Sequence, residues 1–142
     1  MEPSPYLLAI LASWVVAQGA KYLIVGIKEK NFRALRQLYL SGNMPSAHSA
    51  TVVSVATLIG LRDGIDSAIF GLAATFAGVV MYDAIMVRRS VGEQGLAIQE
   101  MIRLAKNPMV IPRAAKGHTP LEVLVGAILG VLIGLVVFIA TK

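Results

Sequence analysis

The chain has 142 residues, is 56% hydrophobic and only 15% charged, and its mean hydropathy is +0.72. That length suits one domain, residues 1–142, and a charge content well under the roughly 25% of a soluble domain indicates a membrane protein. The absence of cysteine excludes disulfides, thiolate metal sites and cysteine nucleophiles, and because the net charge of +5 lies between apolar segments, anionic lipid or a lipid-borne phosphate fits it better than nucleic acid.

The first apolar segment runs from about Tyr6 to Ile27, with Ser4-Pro5 as cap and first-turn proline. No basic n-region precedes it, so it is expected to stay in the mature protein rather than leave as a signal peptide. The second, Ser49 to Leu61, reaches only about 20 Å as a helix against about 30 Å of hydrocarbon. It becomes long enough only if residues 44–48 extend it, which places His48 in protein rather than lipid. Asn43, Pro45 and Ser46 read as its start.

The third segment runs from about Ile65 to Val87 and leads into a polar stretch, Arg88 to His118. There Ile98, Met101, Ile102 and Ala105 share one helical face opposite Gln99, Glu100 and Arg103, and Ser90-Val-Gly-Glu93 has the form of a capping box. This pattern suits an amphipathic helix on the membrane surface or a soluble helix packed on the domain; Asn107-Pro108 and Pro112 end it. The fourth segment, Leu121 to Ala140, carries Gly126, Gly130 and Gly134 four apart, a close-packing face within the chain or between two copies. The expected fold is an all-α integral membrane bundle of about four transmembrane helices plus an amphipathic interfacial helix.

With four spans, the links Lys28–Asn43 and Arg88–His118 share one side. Both are net positive, through Lys28, Lys30, Arg33 and Arg36 in one and Arg88, Arg89, Arg103, Lys106, Arg113 and Lys116 in the other, which assigns that side to the cytoplasm of the cell membrane.

On that topology the unusual residues fall at one depth: Lys21 and Lys28 near the end of the first span, Ser46 and His48 at the start of the second, Asp83, Arg88 and Arg89 at the end of the third, His118 and Glu122 at the start of the fourth. Ionisable groups among transmembrane helices are costly and therefore functional candidates. Lysines and arginines neutralise phosphate, and two helix N-termini offer free N–H groups to an anion. One histidine can serve as nucleophile and the other as proton donor, with Glu122, four residues after His118, placed to fix its tautomer. Simpler readings stand beside these. Thr119-Pro-Leu-Glu122 is itself a capping box, Asp83 can pair with Arg88 or Arg89, and the outer cations can be interfacial anchors.

"PSAHS" resembles the second signature of the type-2 phosphatidic acid phosphatase and vanadium haloperoxidase superfamily, usually Pro-Ser-Gly-His. "GHTPLEVLVG" resembles the third, a histidine followed four residues later by aspartate, and "KYLIVGIK" the first; together with "YDAIMVRRSVGEQ" they are similar to its small, divergent membrane branch. The resemblance implies that His118 attacks phosphorus to form a phosphohistidine, that His48 protonates the leaving alkoxide and then activates water, and that Glu122 orients His118. It implies that Lys21, Lys28, Ser46, the backbone of Ala47, and Arg88 or Arg89 bind the phosphate, with Asp83 in support and no metal or other cofactor. Ala47 stands where the superfamily has glycine, Lys28 where it has arginine, and Glu122 where it has aspartate; Arg88 and Arg89 lie about thirty residues before His118 instead of just before it, and Arg113 and Lys116 are nearer. Four spans rather than six suit a reduced fold or a homodimer.

The function expected is hydrolysis of a phosphomonoester or diphosphate lipid: phosphatidylglycerol phosphate, phosphatidate or an isoprenyl diphosphate. A non-catalytic lipid-phosphate binder or transporter is the alternative those departures favour. A metal-dependent hydrolase built on Asp83, Glu122, His48 and His118 has no supporting ligand spacing.

Overall fold

The computed structural model describes residues 3–30, 44–106, 109–112, 114 and 117–142. Arg33, Arg36, Asn43, Asn107, Pro108, Arg113 and Lys116, all used in the sequence reading, lie outside the described residues. Regular structure among the described residues is entirely helical: α1 (Pro5–Glu29), α2 (Ala47–Asp63), α3 (Ala68–Tyr82), a π-helical turn (Asp83–Val87), α4 (Arg88–Leu104) and α5 (Pro120–Ala140).

Helix boundaries follow local chemistry. Proline occupies the first turn of α1 and of α5, where its missing N–H leaves nothing unsatisfied. Ser46, Ser67 and Thr119 cap α2, α3 and α5 by accepting the N–H of the residue three positions on. Gly64, at φ 88°, ends α2 in a conformation that favours glycine, and the turn through Asp66 moves the start of α3 to Ala68, three residues beyond the Ile65 expected from hydropathy.

Among the described residues three helices are long and apolar enough to cross a membrane: α1, the continuous run from Ala68 to Leu104, and α5. At 17 residues α2 is about 25 Å long, so its end residues do gain what the bare apolar stretch lacked, yet it remains short of a hydrocarbon core of about 30 Å. The expected separate amphipathic helix is instead the continuation of α3. Nothing between Tyr82 and Leu104 breaks the helix; the π-turn absorbs one extra residue and the chain runs on. Ser90-Val-Gly-Glu93 therefore forms no capping box, since a cap needs a non-helical residue at its start. Glu93 pairs with Arg89 at 3.2 Å and the Ser90 hydroxyl accepts from Gln94 Nε2 at 3.2 Å. The amphipathic pattern itself is real, and Ile98, Met101 and Leu104 are exposed on α4. At 37 residues this run is about 55 Å long and overruns the hydrocarbon core.

The short helix α2 is the centre of the bundle, packed on α1, α3 and α5. Its buried side chains are mostly small, Ala47, Ser49, Ala50, Ser54 and Ala56, with Leu58 and Ile59 toward the other end. Small residues let backbones approach where lipid gives no hydrophobic drive for helix association. The glycine stripe of α5 meets this surface in a parallel, in-register pair. A Cβ at Gly126 would stand 2.5 Å from the Ser46 carbonyl oxygen, at Gly130 2.5 Å from that of Ala50, and at Gly134 2.8 Å from that of Ser54. The stripe is thus used within the chain, and a homodimer would need another surface. Between α1 and α2 the apolar packing is stitched by hydroxyls: Ser54 Oγ donates to Ser13 Oγ at 3.2 Å, and Ser13 Oγ to the Ala9 carbonyl at 2.6 Å.

Polar contacts mark two ends. At one, Tyr6 donates to Asp63 at 2.8 Å and Arg62 to the Thr141 hydroxyl at 2.8 Å, which ties the start of α1 to the ends of α2 and α5. The other end gathers the close of α1, the starts of α2 and α5, and the π-turn.

Candidate functional site

At this second end, one residue joins two helix starts. The backbone N–H of Ser46 donates to the Glu122 carbonyl at 3.1 Å, which brings the N-termini of α2 and α5 side by side. Both helices point their positive dipole ends at the same region. The loop before α5 is anchored from the other side: His118 N–H donates to the Ala84 carbonyl in the π-turn at 3.1 Å. Gly117 lies against the helix backbone there, so close that a Cβ on it would sit 2.3 Å from Arg89 N. Only glycine lets the loop lie this close, and neither this contact nor the Ala84 carbonyl is signalled by motif spacing. The sole sequence cue is the glycine immediately before His118.

His118 is buried, and its Nδ1 is 3.0 Å from Glu122 Oε2. The same carboxylate oxygen accepts the Thr119 N–H at 3.0 Å, while the Thr119 hydroxyl accepts the Glu122 N–H at 3.3 Å. The capping and orienting readings of Glu122 are thus both met by one side chain. With Nδ1–H directed at the carboxylate, the lone pair of His118 is on Nε2.

His48 sits in the first turn of α2 and is exposed. It lies within electrostatic reach of Arg88, His118, Lys21 and Asp83, residues that come from α4, the loop before α5, α1 and the π-turn. Lys21 is 5% exposed and interacts electrostatically with Glu122 across the bundle. Arg88 donates through Nε to Asp83 at 2.6 Å, a bond that fixes the guanidinium plane and leaves its terminal nitrogens as the face for an anion.

The structure therefore gathers Lys21, His48, Asp83, Arg88, His118 and Glu122. Arg89 turns to Glu93 and lies outside this group. Lys28 is exposed two turns beyond Lys21, with no link to the cluster among the described residues. Ser46 is fully buried against α5, and its Oγ accepts both the Ser49 N–H and the Ser49 hydroxyl, so its visible work is capping. Ala47, the first residue of α2, is buried between the helices. The thirty-residue separation of Arg88 from His118 is closed by tertiary structure, because Gly117 rests on the Arg88–Arg89 backbone. Among the described residues no three His, Asp or Glu side chains gather in a way that could hold a metal ion.

These features define a helical membrane protein with a buried histidine paired to a half-buried carboxylate and two cations at one end of its bundle. Residues 3–133 match the divergent PAP2 family, and the chain belongs to that family. It is 34% identical to the uncharacterized membrane protein YuiD of Bacillus subtilis (strain 168), over 92% of this chain and 91% of that one. No solved structure matches.

Proposed function

We propose that this protein hydrolyses a phosphomonoester or diphosphate lipid through a phosphohistidine on His118. The observation that carries the reading is the pairing of His118 Nδ1 with Glu122 beside two cations and a second histidine. A carboxylate on Nδ1 holds the ring so that Nε2 presents its lone pair, the arrangement a nucleophilic imidazole needs. Lys21 and Arg88, with the N–H groups at the start of α2, neutralise the phosphate.

In the first step Nε2 bonds to phosphorus as the P–O bond to the lipid breaks, and His48 gives its proton to the departing oxygen. In the second, His48 takes a proton from water, whose oxygen bonds to phosphorus as the P–N bond breaks; inorganic phosphate leaves and both rings return to their starting states. Neither step calls on a metal.

The membrane placement belongs to the same proposal. Four spans, with α2 as a short fourth held entirely by protein on three sides, put the site at the cytoplasmic face of the cell membrane, supported by the excess of basic residues in the two links on that side. The exposed apolar residues of α4 then meet the headgroup region. A cytoplasmic site favours phosphatidylglycerol phosphate or phosphatidate over an isoprenyl diphosphate.

The test is phosphate release in detergent from each of these three lipids, with chelator present, by the parent, His118→Ala and His48→Ala, each checked for folding. Release by the parent that is lost in both variants is the expected result. A folded parent that binds lipid phosphate without releasing it would sink the enzyme reading in favour of a binder or transporter.

A further inference from the structure

On the membrane side of the cluster lies an apolar cleft of about 390 Å³, lined by α1, α2 and α3. Its walls include Ile10 of α1, Val52 and Val55 of α2, and Ile69, Leu72 and Phe76 of α3. Helix α2 forms its floor, since α1 and α3 both pack on α2 and leave this space between them. Thr51, the polar residue of the lining, has its hydroxyl bonded to the Ala47 carbonyl at 2.9 Å, so the wall offers no unpaired hydroxyl.

Helical periodicity ties the cleft to the cluster. At 100° per residue, seven residues return to within about 20° of the same direction, and eleven to within about 20° on the other side. Val55 lies seven residues after His48, Phe76 seven before Asp83, Leu72 eleven before Asp83, and Ile10 eleven before Lys21. On each of the three helices, then, the face that bears a cluster residue near one end bears cleft residues two to three turns deeper. The rise of 1.5 Å per residue sets these four residues about 10–16 Å along their helices from His48, Asp83 and Lys21. On α2 the lining of the cleft begins at Thr51, three residues after His48, and runs on to Val55, away from the cluster.

We infer that this cleft holds one hydrocarbon chain of the lipid whose phosphate occupies the cluster, and so selects substrate by tail as well as headgroup. The inference rests on the proposed lipid phosphate ligand, though not on its turnover. If a methylene takes a share like the roughly 30 Å³ of a water molecule, the cleft has room for about a dozen. That matches most of one acyl or isoprenyl chain and is too little for two.

The experiment uses the full chain in nanodiscs with a phosphatidate carrying a photoreactive diazirine midway along one acyl chain. The parent and His118→Ala are labelled, and modified residues are located by mass spectrometry. Labelling is expected to concentrate on Leu72, Phe76 and Val55. It should fall several-fold with excess unlabelled phosphatidate and hold with excess diacylglycerol, which has the tails without the phosphate. Ala73→Phe, which narrows the cleft from α3, should reduce cleft labelling several-fold and leave shorter-chain phosphatidates the better competitors; Val55→Phe should do the same from α2. Labels spread equally over the outer face of α5, at Leu132 and Val136, and indifferent to phosphatidate would overturn the inference. Cleft labelling without phosphate release supports the cleft and retires the turnover reading, whereas phosphate release with scattered labels overturns the cleft alone.

Discussion

Gly117→Ala isolates what the thirty-residue gap between Arg88 and His118 requires of the fold. A Cβ at position 117 would lie 2.3 Å from Arg89 N, 2.4 Å from Arg89 Cα and 2.7 Å from the Arg88 carbonyl carbon. All three atoms are helix backbone, which does not rotate out of the way as a side chain does. Ordinary contact begins at 3.4 Å, so the loop must retreat by about 1 Å. That movement strains the His118 N–H bond to the Ala84 carbonyl and carries the His118 imidazole away from His48. A misplacement of about 1 Å can cost a factor of about 100 in turnover, and forcing a methyl into a filled space costs about 1–3 kcal/mol of stability. The assay pairs phosphate release with thermal unfolding in detergent. Gly19→Ala serves as control, because a Cβ there meets nothing within 4 Å. Turnover and melting both unchanged in Gly117→Ala would refute the claim that this backbone contact sets the site.

Glu122→Gln keeps a side-chain acceptor for the Thr119 N–H but loses the charge behind His118; it is expected to lower kcat by roughly 100-fold or more with a small stability change. Thr119→Ala should do the reverse, costing about 1 kcal/mol in thermal unfolding and little in kcat. Gly130→Ala drives a methyl toward the Ala50 carbonyl and should destabilise by about 1–3 kcal/mol, whereas Gly78→Ala, with open space at its Cβ, should be neutral or gain up to about 1 kcal/mol by helix propensity; denaturation of both in one detergent decides it. Arg88→Lys keeps the charge but loses the Nε bond that orients it on Asp83, and should raise KM about tenfold or more, while Arg89→Lys, which disturbs an exposed pair with Glu93, should leave KM near the parent value.

Chemistry that depends on near neighbours was legible from residue order. Ser46 and Thr119 cap their helices because a hydroxyl there reaches the N–H three residues on, which is decided within one turn. His118 and Glu122, four apart, meet for the same reason, and the apolar runs of α1 and α5 needed only composition. Ser90-Val-Gly-Glu93 shows the limit of such reading. It has the letters of a helix start, but the preceding residues are already helical and the motif has no free N–H groups to cap.

What residue order left open was decided by contact between distant segments. Of the cations the sequence offered, Arg113 and Lys116 lie outside the described residues; between the other two, the resting of Gly117 on the Arg88–Arg89 backbone goes with Arg88 beside His48, while the Glu93 carboxylate pairs with Arg89. The sequence likewise showed a glycine stripe on α5 without its partner, and the parallel register of α2 supplied it through three backbone carbonyls in succession. Periodicity names the face a helix buries, because that is fixed by 3.6 residues per turn. Which surface meets that face depends on the shapes of two segments far apart in the chain, and that is settled only when they pack.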